Sequence, residues 1–277
     1  MAPSLPIIIS IPHSGQTVPA EALDLCVLNE DSVFNESDSF TREIYGMADA
    51  VLGQVTQDVS RAVVDVNRSS EEVPPVMIDG AVKALTSKGM PVWRTDAMPD
   101  LLLTRTLIES YHAPYHQRLE SLLEAHRGEV RLFIDCHSMS PVGPPLAKDA
   151  GMGRPLICLS NLGDESGEED SLQRISLPGP IILKAKEIVS EVFLDDIALL
   201  SHSDPVALNH PYKGGYITQR YSSIGFWTFQ IELSKSLYLH PRWFDPSSRS
   251  VDAGRLEELN GKIRTAWGEL IQYLDKA

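Results

Sequence analysis

The stretch FIDCHSMSPVG, Phe133 to Gly143, sets a carboxylate, a thiol, an imidazole and a hydroxyl in four consecutive positions, Asp135 to Ser138, directly behind an apolar run. Other apolar runs end in similar clusters. ISIPHSG delivers His13, VSRAVVDVNR delivers Arg61, Asp65, Asn67 and Arg68, and HPYKGGYI delivers Lys213, Gly214, Gly215 and Tyr216. FWTFQIELS sets Glu232 between Ile231 and Leu233. A carboxylate in so apolar a strand needs a partner, a proton or a metal ion, because an isolated buried charge is costly. In open α/β sheets, ligands gather beyond the carboxyl ends of strands. Two histidines at strand ends, a buried glutamate and an Asn-Arg pair are the parts of a mononuclear metallohydrolase whose substrate carries a carboxylate.

The elements that must position these groups alternate along the chain. LPIIISI (5–11) reads as a buried strand. Residues 38–53 place Phe40, Ile44, Met47, Ala48 and Val51 on one helical face, with Gly53 at the stop. RAVVDV (61–66) reads as a strand, and residues 101–127 carry apolar positions at helical spacing with Pro114 as a break or kink. VRLFIDC (130–136) and PLICLS (155–160) are expected strands and residues 181–193 a helix. IALLS (197–201) leads into a loop, FWTFQIEL (226–233) is a strand, and an amphipathic helix runs from about Asp252 to Leu274. Residues 69–99 and the acidic stretch within 160–179 read as loops. The alternation predicts an α/β fold: one metallohydrolase domain over 1–277, with a mostly parallel or mixed central sheet and helices on both faces.

Composition narrows the function. With 24 basic against 38 acidic residues the net charge is −14, which disfavours nucleic acid and anionic membranes as partners. Cys26, Cys136 and Cys158 form no CxxC pair, so neither a disulfide framework nor an all-cysteine zinc site is expected. The N-terminus lacks a basic region and is interrupted by Pro6 and Pro12, unlike a signal peptide. No apolar run reaches the ~18–20 residues of a membrane span. The expected compartment is the cytoplasm.

Six motifs in order, IPHSGQTVP, SRAVVDVNR, YHAPYHQRL, IDCHS, YKGGYIT and FQIELSKSLYL, run from residue 7 to about 239. Together they resemble the N-formylglutamate amidohydrolase (deformylase) family, which is itself similar to the zinc carboxypeptidases. The resemblance implies a zinc-carboxypeptidase-like fold holding one Zn²⁺, with other divalent metals as alternatives. His13 and His137 would be ligands, Asn67 and Arg68 would bind a substrate carboxylate, and Glu232 would be the general base. Carboxypeptidases draw a third ligand from His-x-x-Glu. Here the spacing reads His13-Ser14-Gly15-Gln16, and a neutral amide is a poor zinc ligand. Asp38, where the family tends to carry Asp, is the preferred substitute, against Asp135 and Gln16. An N-cap is the structural alternative for Asp38, and Asp135 suits orienting His137.

The family retains His116, so this residue is expected to support the site or touch substrate rather than form a second metal site with His112. Arg61 would share the developing oxyanion charge. The implied substrate, the dianion N-formyl-L-glutamate of histidine degradation, is a small anionic amide yielding formate and L-glutamate. It needs a second anchor, for which Lys213 and Arg220 are candidates. Tyr216 lies between them, and Gly214 and Gly215 would let backbone approach closely. The rivals are a hydrolase of another N-acyl amino acid or carboxylate-bearing amide, and a binding protein without catalysis.

Overall fold

In the computed structural model, residues 4–74, 78–169, 174–200 and 205–276 are described. Pro75, residues 170–173 with the last acidic residue Asp170, and Ser201, all placed in loops or at a loop's start above, lie outside them.

Leu5–Ile11 forms β1, followed by the short helices α1 (Glu30–Glu36) and α2 (Thr41–Tyr45), and by β2 (Val51–Thr56). Next come α3 (Leu101–Leu107), a π-helical turn (Ile108–His112) and α4 (Ala113–Ala125), then β3 (Leu132–Met139) and β4 (Ile157–Ser160). Helices α5 (Gly179–Val192) and α6 (Leu194–Leu200) lead to β5 (Val206–Leu208), α7 (Tyr216–Ser223) and β6 (Thr228–Ser234). A small hairpin of β7 (Phe244–Asp245) and β8 (Ser250–Val251) precedes the closing helix α8 (Ala253–Leu274). The main sheet has six strands in the order β2-β1-β3-β6-β4-β5. Strands β2, β1, β3 and β6 are mutually parallel, while β4 runs antiparallel to β6 and parallel to β5. This is the mostly parallel, mixed α/β sheet that the strand–helix alternation predicts.

Period-two alternation sorts the side chains. Ile7, Ile9, Ile11, Ile134, Cys136, Ile231 and Leu233 pack under α2, α5 and α8. Ile8 and Phe133 pack under α4 and α7 with Tyr115, Leu119, Ile217 and Tyr221. The second face carries the polar exceptions: Ser10, Asp135, His137, Gln230 and Glu232 share it by the same alternation. On α8 the residues Leu259, Ile263, Ala266, Trp267, Leu270 and Leu274 form the apolar stripe. The Asp252 carboxylate caps the helix by accepting from the Arg255 N–H at 2.9 Å. No helix among the described residues is long and apolar enough to cross a membrane.

Three expectations need correction. The helix expected over 38–53 is only α2, and Val51 opens β2. Gly53 is no helix stop: a Cβ there would lie 2.9 Å from Leu122 Cδ2, so glycine lets α4 sit directly on the strand. RAVVDV is buried but forms turns instead of a strand. The Val63 and Val64 N–H groups both bond the Ser60 carbonyl, and the valines pack with Val82, Val92 and Trp93 in a separate cluster under the 69–99 loop. Residues 197–200 are the end of α6, and the stretch expected as loop after them contains β5 and α7. A short β-branched run cannot by itself distinguish a sheet strand from a buried turn.

Trp267 lies edge-on to Phe229 of β6, with ring centroids 5.5 Å apart. Trp267→Ala is expected to lower the free energy of urea unfolding by ~3–5 kcal/mol, the cost of an aromatic cavity. A loss under ~1 kcal/mol would show that α8 is not fixed to the sheet through this contact.

Candidate active site

His13 follows β1 by two residues, and its carbonyl accepts from the Asp38 N–H at 2.9 Å, which ties the two segments together. Asp38 also receives Thr41 at its own carbonyl, from both the N–H and the hydroxyl. The backbone thus does the capping, and the Asp38 carboxylate is left to turn inward. His137 comes from β3, directly beside β1. Nδ1 of His13 and Nδ1 of His137 are 3.1 Å apart. Asp38 Oδ2 lies 3.2 Å from the second and 3.4 Å from the first. All three side chains are buried.

The outer nitrogens fix the protons. His13 Nε2 is 2.7 Å from Asp65 Oδ1, a carboxylate that can only accept, so Nε2 carries the hydrogen. His137 Nε2 has two neighbours, Asp135 Oδ2 at 3.0 Å and Asn67 Nδ2 at 3.3 Å. The Asp135 contact is off the hydrogen-bond line, but it is nearer and charged, and it decides the tautomer. Ser10 holds the other Asp135 oxygen at 2.8 Å. With both hydrogens outward, two imidazole lone pairs and a carboxylate oxygen face one another across 3.1–3.4 Å. Three acceptors so close repel unless a proton or a metal cation joins them. A tetrahedral ion with bonds of ~2.0–2.1 Å sets its donors about 3.3 Å apart, and two nitrogens with one oxygen are a zinc-type donor set. His13, Asp38 and His137 therefore fit a metal ion. Gln16 is exposed and directs its amide towards Ser39, away from the histidines.

Charge is balanced locally. Burial alone would depress His137, but the charge and bonding of Asp135, with Asp38 and Glu232, hold it well above the usual histidine range. Burial would likewise raise Asp38, yet the two histidines and Arg61 pull it below the usual carboxylate range.

Glu232 reaches the site through strand register: on β6 it pairs directly with His137 on β3. Its Oε1 accepts from Gln230 Nε2 at 2.9 Å, and Gln230 Oε1 accepts from the Gly215 N–H at 2.9 Å. Burial first, with Asp38 and Asp135, pushes the Glu232 carboxyl up to about 7, while His137 and Arg61 oppose it. β5 enters from the opposite edge of the sheet, so residues 209–215 must double back to reach this face. The Tyr212 carbonyl is pinned there by Ser160 Oγ at 2.6 Å. Gly214 has φ +124°, a conformation side chains resist. A Cβ on Gly215 would fall 2.3 Å from Asn67 Nδ2. The glycine pair thus serves Asn67 and Gln230 rather than open space.

Asp65 is the hub of the neighbouring loop. Its Oδ1 takes His13 Nε2 and the Asn67 N–H, and its Oδ2 takes Arg61 Nη2 at 2.9 Å with Lys83 Nζ at 3.2 Å. Burial would raise Asp65, but Arg61, His13 and Lys83 hold it well below the usual range. Arg61 Nε is buried and has no hydrogen-bond partner among the described residues. Asn67 Oδ1 accepts from the Ile217 N–H at 2.8 Å and so caps α7 from a distance. Arg68 bonds Asp79 twice, through Nη2 to Oδ2 at 2.9 Å and through Nε to the carbonyl at 3.1 Å.

His112 and His116, spaced like a helical metal pair, bind backbone instead. Their Nε2 atoms lie 2.9 Å from the carbonyls of Arg68 and Val66 respectively. The Tyr221 hydroxyl holds His116 Nδ1 at 2.9 Å. Burial, with His112 and Arg220, takes the His116 pKa down to about 3, so it stays neutral. The pair fixes both sides of Asn67, which makes His116 a support for the site. Arg220 is exposed and paired with Glu120 at 2.6 Å and the Tyr216 hydroxyl at 2.9 Å. Lys213 is exposed.

Sequence reading gave no role to Asp65, Gln230 or Lys83. Gln230 was detectable, since it lies two residues before Glu232 and so shares its face of the strand. Nothing local pointed to Lys83, whose partners come from the fold of the 69–99 loop.

Comparison with known proteins shows the family and the fold. The sequence model of a family described as N-formylglutamate amidohydrolase matches residues 5–239. Among solved structures, the N-formylglutamate amidohydrolase from Ralstonia eutropha JMP134 superposes with a TM-score of 0.72 at 16% identity, covering 99% of this chain and 95% of that one. A gene product of Agrobacterium tumefaciens gives 0.63 at 16% identity, covering 97% and 91%. The carboxypeptidase A of Helicoverpa armigera gives 0.47 at 12% identity, covering 98% and 62%. At these identities the likeness bears on fold alone, and the last is too weak to add to it. No curated protein sequence matches the chain.

The raised Glu232 pKa has a consequence for stability. A free glutamate titrates near ~4.3, so between that pH and about 7 the folded state holds a proton that the unfolded state has lost. The group's stabilising contribution is complete below ~4.3 and disappears as pH rises through about 7. In chelator, Glu232→Gln should gain stability relative to wild type on going from pH 5 to pH 8, read by urea unfolding. A relative loss over that range would mean that the folded protein favours the ionised carboxylate.

Proposed function

The chain belongs to the N-formylglutamate amidohydrolase family, and we propose that it is a metal-dependent enzyme cleaving the formyl amide of N-formyl-L-glutamate to formate and L-glutamate. The observation carrying this reading is the inward-facing triangle of His13 Nδ1, His137 Nδ1 and Asp38 Oδ2 beside the buried Glu232, paired with His137 across the sheet. These three residues would hold one Zn²⁺, or another divalent ion. Such an ion, when bound, polarises an amide carbonyl and lowers the pKa of water towards ~7.

The chain's own groups supply the rest. Glu232 accepts a proton from the attacking water at the oxygen not held by Gln230 and returns it to the departing amine, acting as base and then as acid. A carboxyl poised near 7 suits both duties. Arg61, whose Nε has no hydrogen-bond partner among the described residues, would share oxyanion charge. Arg68 offers a planar fork to a substrate carboxylate, and Asn67 holds the turn that presents it. Lys213, Tyr216 and Arg220, around the glycine pair, are the candidates for the second carboxylate. Asp65 and Asp135 keep the histidine lone pairs aimed inward.

Glu232→Gln should retain metal and fold yet lower kcat for formate release by at least ~10²-fold; near-normal turnover would remove Glu232 from the mechanism. In metal analysis of purified variants, His13→Ala, His137→Ala and Asp38→Ala should each lose stoichiometric metal. Asp135→Ala should keep it with affinity weakened ~10–100-fold, as for a group behind a ligand. If Asp135→Ala abolishes binding while Asp38→Ala does not, the two aspartates exchange roles.

A further inference from the structure

Beside the histidine triangle, three cations meet two carboxylates. Arg61, Arg68 and Lys83 face Asp65 and Asp79. Asp65 is fully buried and fixed on both oxygens. Asp79 is different. Its side chain is 61% exposed, yet it covers a guanidinium exposed by only 28% and an ammonium exposed by only 5%. Asp79 Oδ2 accepts from Arg68 Nη2, its carbonyl accepts from Arg68 Nε, and its Oδ1 meets Lys83 Nζ. The Nε–Nη2 edge of a guanidinium takes both oxygens of a carboxylate side-on. Here that edge holds one carboxylate oxygen and one main-chain carbonyl, a poorer match than an incoming carboxylate would make.

We propose that Asp79 is a self-ligand: its carboxylate occupies the place of the substrate's carboxylate on Arg68 and Lys83, and substrate binds by displacing it. This rests on the reading of Arg68 as a carboxylate anchor. The exchange replaces one carboxylate by another on the same donors, so neither cation is left buried and bare. The displaced side chain is already half in water, and its release frees Arg68 Nη2 and Lys83 Nζ; the Asp79 carbonyl must also leave Nε for substrate to take the whole edge. A neutral substrate cannot make the exchange, because the cations would lose charge compensation. Asp79 therefore selects for anionic substrates while weakening their binding, and Lys83 becomes a substrate contact.

The test uses the full-length metal-loaded enzyme, with N-formyl-L-glutamate as substrate and L-glutamate as product inhibitor. Asp79→Asn keeps the shape and removes the charge, and Asp79→Ser removes both. Each is expected to lower KM and the inhibition constant of L-glutamate about threefold or more, the scale of a part-exposed ion pair. Lys83→Gln is expected to raise both. An unchanged or raised KM in the Asp79 variants would show that Asp79 only holds Arg68 in place, which overturns the proposal. Arg68→Lys separates the two readings. If it raises KM while the Asp79 variants also raise it, the anchor stands and the self-ligand falls. If Arg68→Lys leaves KM unchanged, the anchor reading fails and the self-ligand with it.

Discussion

Two carboxylates on the far side of two imidazoles govern this site. Asp65 accepts a hydrogen bond from His13 Nε2 and Asp135 lies 3.0 Å from His137 Nε2 as an ionic neighbour, which turns both Nδ1 atoms towards each other and towards Asp38. Rotate either ring or move either proton, and the triangle of acceptors is gone. The fold builds outward from this requirement. Asp135 and His137 share a face because they are two residues apart on β3. Asp65 has to be delivered by a loop with no place in the sheet.

That delivery explains much of the irregular structure. A buried carboxylate needs compensation, and Asp65 receives Arg61, Lys83, His13 and a backbone amide. The loop carrying it packs its valines into a core of its own beneath residues 69–99. Its far side is secured by the π-helical turn and the start of α4, from which His112 and His116 reach the carbonyls of Arg68 and Val66. A neutral imidazole does this work without adding charge, and burial keeps His116 neutral at physiological pH. The same anchoring aligns Asn67, which caps α7 and approaches His137.

The chemistry draws on a contrast between carboxylates that share one field. Asp38 and Asp65 are held ionised by imidazoles and cations, whereas Glu232, buried and facing other carboxylates, keeps its proton to about neutral pH. Environments that separate the pKa values of neighbouring acids are how one site comes to contain both an electrostatic anchor and a proton carrier. Gln230 adds to this by fixing one Glu232 oxygen and, through Gly215, the entry to α7.

The sequence alone determined what depends on short-range period and residue chemistry. Continuous apolar runs in 5–11, 130–136 and 226–233 located β1, β3 and β6 and placed a polar group at or near the end of each, while the apolar stripe and Asp252 located α8. Family motifs then singled out His13, His137 and Glu232, with Asp38 preferred over Asp135 and Gln16 as a third ligand, and the fold brings His13, Asp38 and His137 together with Glu232 beside His137. Tertiary structure alone decided whatever depends on contacts distant in sequence. Residues 51–56 became a strand because β1 offered an edge, and 61–66 became a buried turn because a second core absorbed the valines. Pairing of β3 with β6 in one register set Glu232 beside His137, and a shift by one residue would have turned it into the opposite core. The i, i+4 histidines became carbonyl clamps because the 66–68 loop lies against them. Local pattern specifies which atoms are available, and only packing specifies which of them meet.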